Sequence, residues 1–344
     1  MNIEDYGFTA DLEKNLPEGI SARVLAAHRD RYELVCEHGF CSGRLKAGAY
    51  HNGQTELFPT VGDFVALRYS GEGDSMMVAT LPRRSLFTRR DPDKGRGEQA
   101  VAANFEHVFI LQSLNHDFSL PRLERYLILS WQSGAQPVVV LTKADLVEDA
   151  VPVILKAEAV APGVAVHAIS AATGRGLEAL TPYLAPGCTA VLLGSSGVGK
   201  SSLVNALLGE ERMAVKAIRE DDSRGRHTTT HRQLIHLPGG GMVIDTPGMR
   251  ELGMWDVSAG MGSAFGDVEQ YLGRCRFSDC RHESEPGCAI QGAIARGELA
   301  PARWESYQRL LREALYADDK AAYMQARVHW AKDIQRRGRH RKKP

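Results

Sequence analysis

In a chain of 344 residues, 42 Lys and Arg balance 42 Asp and Glu, so net charge alone points to no polyanionic partner and only charge placement can do so. The length exceeds one typical domain and suggests two or three. No apolar run reaches membrane-spanning length and the polar start Met1-Asn2-Ile3-Glu4-Asp5 is no signal peptide, so a cytoplasmic protein without a membrane partner is expected. Residues 1–19 are polar with little period and read as a loose N-terminal extension. Residues 20–87 then carry short β-rich runs (Ala22 to Ala26, Arg31 to Cys36, Phe40 to Leu45, Asp63 to Tyr69, Met76 to Leu81) between Gly, Asp and Asn turns. Five such strands predict a small β-barrel of the oligonucleotide-binding (OB-fold) type, by fold analogy, on which Arg44, Lys46, Arg83 and Arg84 either meet RNA or are solvated charge. Residues 88–99, charged and Gly/Pro-punctuated, read as a linker.

From residue 100 to about 258 the rhythm changes to strand then helix. Strands at Val108 to Leu111, Pro137 to Leu141 and Val164 to Ile169 alternate with helices at Leu120 to Trp131, up to Val160, and at Gly176 to Leu184. The next strand, Ala190 to Leu193, is followed by further strands at Arg232 to Leu237 and Met242 to Ile244. Alternation of this kind predicts an α/β domain with a parallel, helix-covered sheet.

The run Gly194-Ser195-Ser196-Gly197-Val198-Gly199-Lys200-Ser201 has phosphate-loop spacing between a buried strand and the helical pattern that begins at Ser202. Backbone N–H groups at such a turn, with the helix dipole behind them, attract phosphate. Lys200 is expected to reach the β- and γ-phosphates, and the Ser201 hydroxyl to ligate Mg²⁺. Thr142-Lys143-Ala144-Asp145 closes the Val138-to-Leu141 strand, where ligands of open α/β sheets bind. A carboxylate there accepts from guanine N1–H and N2–H₂, which adenine cannot match, so Asp145 selects GTP over ATP while Lys143 lies along the base. Ser170-Ala171, closing the next strand, suits a second base-contacting loop. In the polar stretch Gly225-Arg226-His227-Thr228-Thr229-Thr230, Thr229 or Thr230 completes the Mg²⁺ shell if this is a switch loop; a β-edge run of threonines is the competing reading. Asp245-Thr246-Pro247-Gly248 supplies a carboxylate that supports Mg²⁺ and a glycine N–H for the γ-phosphate. Met249 follows where many GTPases place a water-orienting Gln. Slow intrinsic hydrolysis is expected, with His227 the candidate catalytic residue against a merely structural or exposed histidine.

Cys36, Cys41 and Cys188 stand singly, whereas Cys275-x₄-Cys280-x-His282-x₅-Cys288 offers three thiolates and an imidazole, a full tetrahedral set for one structural Zn²⁺. That segment is short and poor in apolar residues, so metal is expected to supply much of its folding energy. Residues 259–327 read as a zinc-binding helical domain in which Trp304, Tyr307, Leu310, Leu311, Ala314 and Leu315 form one apolar helix face. Arg327 to Pro344 carries eight Lys/Arg against Asp333 alone; this basic tail, 328–344, suits RNA phosphates or is simply solvated.

The base-recognition loops precede the phosphate loop, the reverse of the usual order, so the GTPase domain reads as circularly permuted. Barrel, permuted domain with Gly-Ser-Ser-Gly-Val-Gly-Lys-Ser-Ser and Gly-Arg-His-Thr-Thr-Thr, then the Cys/His cluster resemble the bacterial family of small ribosomal subunit biogenesis GTPases RsgA (YjeQ/YloQ), from about residue 20 to 325. The resemblance implies a monomeric, cytoplasmic GTPase that binds the 30S subunit and 16S rRNA late in maturation, is stimulated by the subunit, and leaves after hydrolysis to GDP. Thr142 departs from the family's commoner Asn. The hydrogen bonds that Asn makes to the phosphate loop are therefore at issue, and modest nucleotide affinity is expected. A nucleotide-gated RNA-binding module with incidental hydrolysis is the alternative, kept open by Met249. An ATP-dependent enzyme is disfavoured by Asp145.

Overall fold

The computed structural model describes residues 1–28, 31–46, 58–90, 98–115, 117–210, 232–245 and 258–318. The chain forms two compact units, Met1–Leu252 and Gly253–Pro344.

The first unit holds strands β1 (Ile20–Ala27), β2 (Tyr32–Cys36), β3 (Gly39–Leu45), β4 (Phe64–Arg68) and β5 (Ser75–Thr80). β1 pairs antiparallel with both β2 and β4, β2 with β3 and β4 with β5, while β3 and β5 run parallel, so the five strands close on themselves. Alternation sends Ala22, Val24, Leu34, Cys36, Val65, Leu67 and Met77 into one core. A register shift between Val24 and Ala26 bends β1 at the barrel's rim.

Residues 1–19 are packed, not loose. Asn2 caps a 3₁₀ turn at Ile3–Tyr6, and the helix α1 (Ala10–Glu13) follows. Leu12 is buried with Phe64 and Leu81, flanked by Phe8 and Leu16. Three apolar residues among polar neighbours lack a strict period but suffice to pack this segment against the barrel at Phe64 and Leu81.

Strands β6 (Leu86–Arg90) and β7 (Glu98–Ala103) form an antiparallel pair of their own. They flank and enter the expected linker, whose first three and last two residues are therefore strand. Charge and Gly/Pro content described the connection between them, but cross-strand pairing decides strand formation more than local propensity does.

Beyond the hairpin come β8 (His107–Ser113), α2 (Leu120–Gln132), β9 (Gln136–Thr142), α3 (Val151–Val160), β10 (Val166–Ala168), β11 (Thr189–Gly194), α4 (Lys200–Leu208), β12 (Gln233–His236) and β13 (Met242–Asp245). The sheet runs β10-β9-β8-β11-β13-β12, parallel except for β12. Residues of β8, β9 and β11 are buried almost without a break, as a parallel sheet covered on both faces requires. The segment expected as a helix from Gly176 is a 3₁₀ helix, Leu177–Leu184, with Pro182 inside it; proline lacks the N–H that a regular α-helix would use.

Ala26 of β1 also pairs with Gln233 of β12, so barrel and parallel sheet are hydrogen-bonded neighbours. Arg23 is fully buried near that seam. Its guanidinium donates to the carbonyls of Tyr6, Gly62 (3.2 Å) and Asn104 (2.7 Å) and to Thr189 Oγ1 (3.0 Å). Burial pulls its pKa down to about 10, which leaves it charged at neutral pH. Asp63, also fully buried, is held by Arg83 Nε and Nη2 at 2.8 and 2.7 Å and by the N–H of Thr60 at 2.8 Å. Arg83 is thus committed to the interior and is not a free cation for RNA, whereas Arg44 and Arg84 remain about half exposed beside Asp74 and Glu106.

The second unit contains α5 (Ser258–Ala264), α6 (Gly266–Glu269), α7 (Ala289–Ala295) and α8 (Pro301–Asp318). Along α8, Trp304, Tyr307, Leu310 and Ala314 are buried, but Leu311 and Leu315 lie at the exposed margin of the stripe. Arg303 stacks over Phe265 at 3.8 Å and pairs with Asp267, which seats α8 on α6. Among the described residues no helix is long and apolar enough to cross a membrane.

Candidate functional site

The buried strand β11 ends at Gly194, and α4 starts six residues later at Lys200. The turn between them needs residues that accept left-handed backbone. Gly197 sits at φ +75° and Gly199, the residue before α4, at φ +108°, beside the Thr142 side chain. Lys200 Nζ lies across the loop on the carbonyls of Gly194 (2.7 Å) and Ser195 (2.8 Å). Ser196 and Gly197 lie at the exposed crest, Val198 is buried beneath it, and Ser201 and Ser202 are half-buried in the first turn of α4. This is a loop of backbone N–H groups at a helix start, with a lysine at its mouth.

β9, two strands away from β11 in the sheet, ends at Thr142. The Thr142 hydroxyl donates to the carbonyl of Val198 at 2.6 Å, so the strand-end contact that an Asn was expected to supply is made by a threonine. Lys143, in left-handed backbone at φ +60°, reaches the carbonyl of Gly197 at 2.9 Å. Ala144 is buried and its N–H meets the carbonyl of Ile169. Asp145 accepts from Ser170 Oγ at 2.5 Å, and Ser170, fully buried, also takes the N–H of Thr173 at 3.2 Å, with Ala171 between them. A fixed carboxylate therefore stands on one side of the phosphate loop. Asp245 ends β13, buried and in register with Leu192 of β11. The structure thus brings together Thr142, Lys143, Asp145 and Ser170 with the phosphate loop. His227, Thr229, Thr230, Gly248 and Met249 lie outside the described residues.

One neighbour of the loop escaped sequence reasoning. Asp117, between β8 and α2, accepts from Ser195 Oγ at 2.8 Å and pairs with Arg122 of α2 at 3.1 Å. Its only signal was position, just past the carboxyl end of a parallel strand.

In the second unit, Cys275, Cys280, His282 and Cys288 place their ligand atoms within 4.8 Å of one another. His282 Nδ1 is 3.4, 3.7 and 3.5 Å from the three sulfurs in turn, and the sulfurs of Cys275 and Cys288 are 4.0 Å apart. Ligands about 2.0 to 2.3 Å from a tetrahedral centre are separated by about this much, so the donor set fits Zn²⁺ with every position filled and none open for catalysis. The N–H of Ala289 points at Cys275 Sγ (3.3 Å) and that of Gln291 at Cys288 Sγ (3.5 Å), bonds that favour thiolate. Glu285 closes the loop on the N–H groups of Arg281, Glu283 and Ser284, and these bonds hold its carboxyl down at about 2.

Strands β8 to β10 come before β11 in the chain yet lie on one side of it in the sheet, bringing Thr142 and Lys143 to a phosphate loop that follows them. The first unit is therefore a P-loop GTPase of circularly permuted connectivity. The family model described as RsgA GTPase matches residues 80–255. The chain is 45% identical over 341 residues to Small ribosomal subunit biogenesis GTPase RsgA 1 of Listeria innocua, covering 98% of this chain and 96% of that protein. To the RsgA of Streptomyces avermitilis it is 45% identical over 317 residues, covering 90% and 84%. Among solved structures, YjeQ from Thermotoga maritima superposes with a TM-score of 0.63 at 27% identity, covering 86% of this chain and 98% of that one. YloQ, a circularly permuted GTPase, gives 0.59 at 23% identity over 86% and 94%, a likeness of fold. The chain belongs to the RsgA family of circularly permuted GTPases.

Proposed function

We propose that this chain hydrolyses GTP to GDP and phosphate on the small (30S) ribosomal subunit during its late maturation, is stimulated by that subunit, and is released after hydrolysis. The names of its relatives supply the ribosomal setting. The observation that carries the nucleotide reading is the double tie of Thr142 and Lys143 to the carbonyls of Val198 and Gly197, which sets the guanine-reading Asp145 at a fixed place beside the phosphate loop.

In this reading Asp145, oriented by Ser170, accepts from guanine N1–H and N2–H₂, with Lys143 and Ala171 flanking the base. The N–H groups from Ser195 to Ser202 bind phosphate oxygens and Lys200 meets the β- and γ-phosphates. Mg²⁺, when bound, neutralises charge on those phosphates. Ser201 and Asp245, with Thr229 or Thr230, would hold it, Gly248 would contact the γ-phosphate, and His227 would position the attacking water. The cysteine cluster holds one structural Zn²⁺. Barrel, zinc unit and basic tail together grip 16S rRNA, the phosphate contacts making binding salt-dependent.

GTP turnover measured with and without 30S subunits across a salt series tests this. Stimulation that fades as salt rises is expected. Turnover indifferent to the subunit while RNA binding persists would instead favour a nucleotide-gated RNA-binding module.

A further inference from the structure

We infer that Asp117 is a positioning residue for the phosphate loop, acting through Ser195 and kept electrically neutral by Arg122. The inference rests on the GTP reading above and adds to it a residue outside the recognised GTPase motifs.

The phosphate loop is tied to the base loop through Val198 and Gly197, at its far half. Its near half, where the chain leaves β11, is tied elsewhere. Ser195 is buried, and its hydroxyl donates to Asp117 Oδ2 at 2.8 Å. Asp117 is itself built in. Its N–H donates to Asn115 Oδ1 at 3.0 Å, and Asn115 Oδ1 also accepts from Ser113 Oγ at 2.5 Å. Arg122 Nη1 and Nη2 stand 3.3 and 3.1 Å from the two carboxylate oxygens, and Nη2 also holds the Asp117 carbonyl at 2.5 Å. Ser195 therefore has a fixed side chain, and its backbone carbonyl is one of the two that Lys200 Nζ rests on. A shift of Ser195 would carry the lysine's resting place with it.

Charge explains the arginine. A bare carboxylate next to a loop meant for a polyanion would repel it, and the Arg122 guanidinium cancels that charge where it arises. An uncharged acceptor would do the same job for Ser195, so the hydrogen bond is the working part and the ion pair is its neutraliser.

The test uses the full chain and titrations with fluorescent GTP and GDP analogues, alongside steady-state turnover and thermal melts. Asp117→Ala and Ser195→Ala are each expected to weaken both nucleotides by roughly tenfold, the scale of a lost hydrogen bond to a charged group. The double variant should be no weaker than either single one, because both remove the same bond. Asp117→Asn, which keeps an acceptor, should bind within about twofold of the parent while Arg122→Met, leaving the carboxylate uncompensated, binds more weakly. KM should rise with kcat unchanged, as for an interaction made equally in ground and transition states. Additive single variants, or Asp117→Ala binding as the parent does, overturn the inference. If Asp117→Ala melts at once, Ser195→Ala and Asp117→Asn still decide it. Failure of the parent itself to bind GTP strikes the GTP reading instead.

Discussion

Thr142 and Val198, 56 residues apart in the chain, are joined by a 2.6 Å hydrogen bond from hydroxyl to carbonyl. Thr142 is buried, so loss of the hydroxyl would strand the Val198 carbonyl, at a cost of about 1–3 kcal/mol. Thr142→Val, nearly the same shape, should weaken GTP binding by about tenfold, whereas Thr142→Asn should hold it near the parent. A fluorescent-nucleotide titration of both variants decides this; equal affinity for Thr142→Val and the parent would mean the bond does not support the site.

Removal of metal should unfold the second unit and spare the first. Within residues 270–288 only Cys288 is buried, and the ring of His282 meets Trp304 at 5.4 Å, so the indole reports the loop's integrity. Zinc-selective chelation with Mg²⁺ kept in excess, or Cys280→Ser, should shift the tryptophan emission to which Trp304 contributes and lower helicity while GTP affinity in the same sample stays unchanged. Retention of the emission and of protease resistance after complete metal loss would exclude a structural role.

Protonation should weaken the first unit in mildly acidic solution. His107 and His167 both lie against Tyr183, at ring distances of 5.3 and 5.6 Å, and burial lowers the pKa of each below 6.5. A histidine whose folded pKa is depressed binds fewer protons folded than unfolded, so stability is intact above about 6.5 and falls as pH drops through that value toward the folded pKa. Melting temperature against pH should therefore slope less between 7 and 5 in His107→Gln/His167→Gln than in the parent. The difference between the two proteins cancels the acid sensitivity of the cysteine cluster, which they share.

The seam beside the barrel should tolerate no side chain at residue 62. Gly62 has φ +89°, and a Cβ there would stand 2.1 Å from the carbonyl oxygen of Ala103, itself backbone. Gly62 also accepts from Arg23 through its carbonyl. Gly62→Ala should cost roughly 2–4 kcal/mol by denaturant titration, from left-handed strain plus overpacking. A loss below 1 kcal/mol would show that the seam yields.

By itself the sequence determined the glycine-rich loop, the strand-end Lys-x-Asp and the Cys/His cluster. Glycine spacing before Lys200, a Lys-x-Asp at a strand end and a Cys₃His set are local, because a tight turn, a strand terminus and a short metal loop are each built within a few residues. The apolar runs of β8, β9, β11 and β13 were legible for the same reason, as covered parallel strands bury nearly every residue. Only the tertiary structure decided which distant atoms meet. Thr142 reaches Val198, Asp117 reaches Ser195, Arg83 turns inward to Asp63 and the first 19 residues pack on the barrel at Phe64 and Leu81, because hydrogen-bond and packing partners are chosen by topology and leave no periodic trace in the chain. Strands β6 and β7 were missed on that ground too: each is stabilised by the other across the connecting residues.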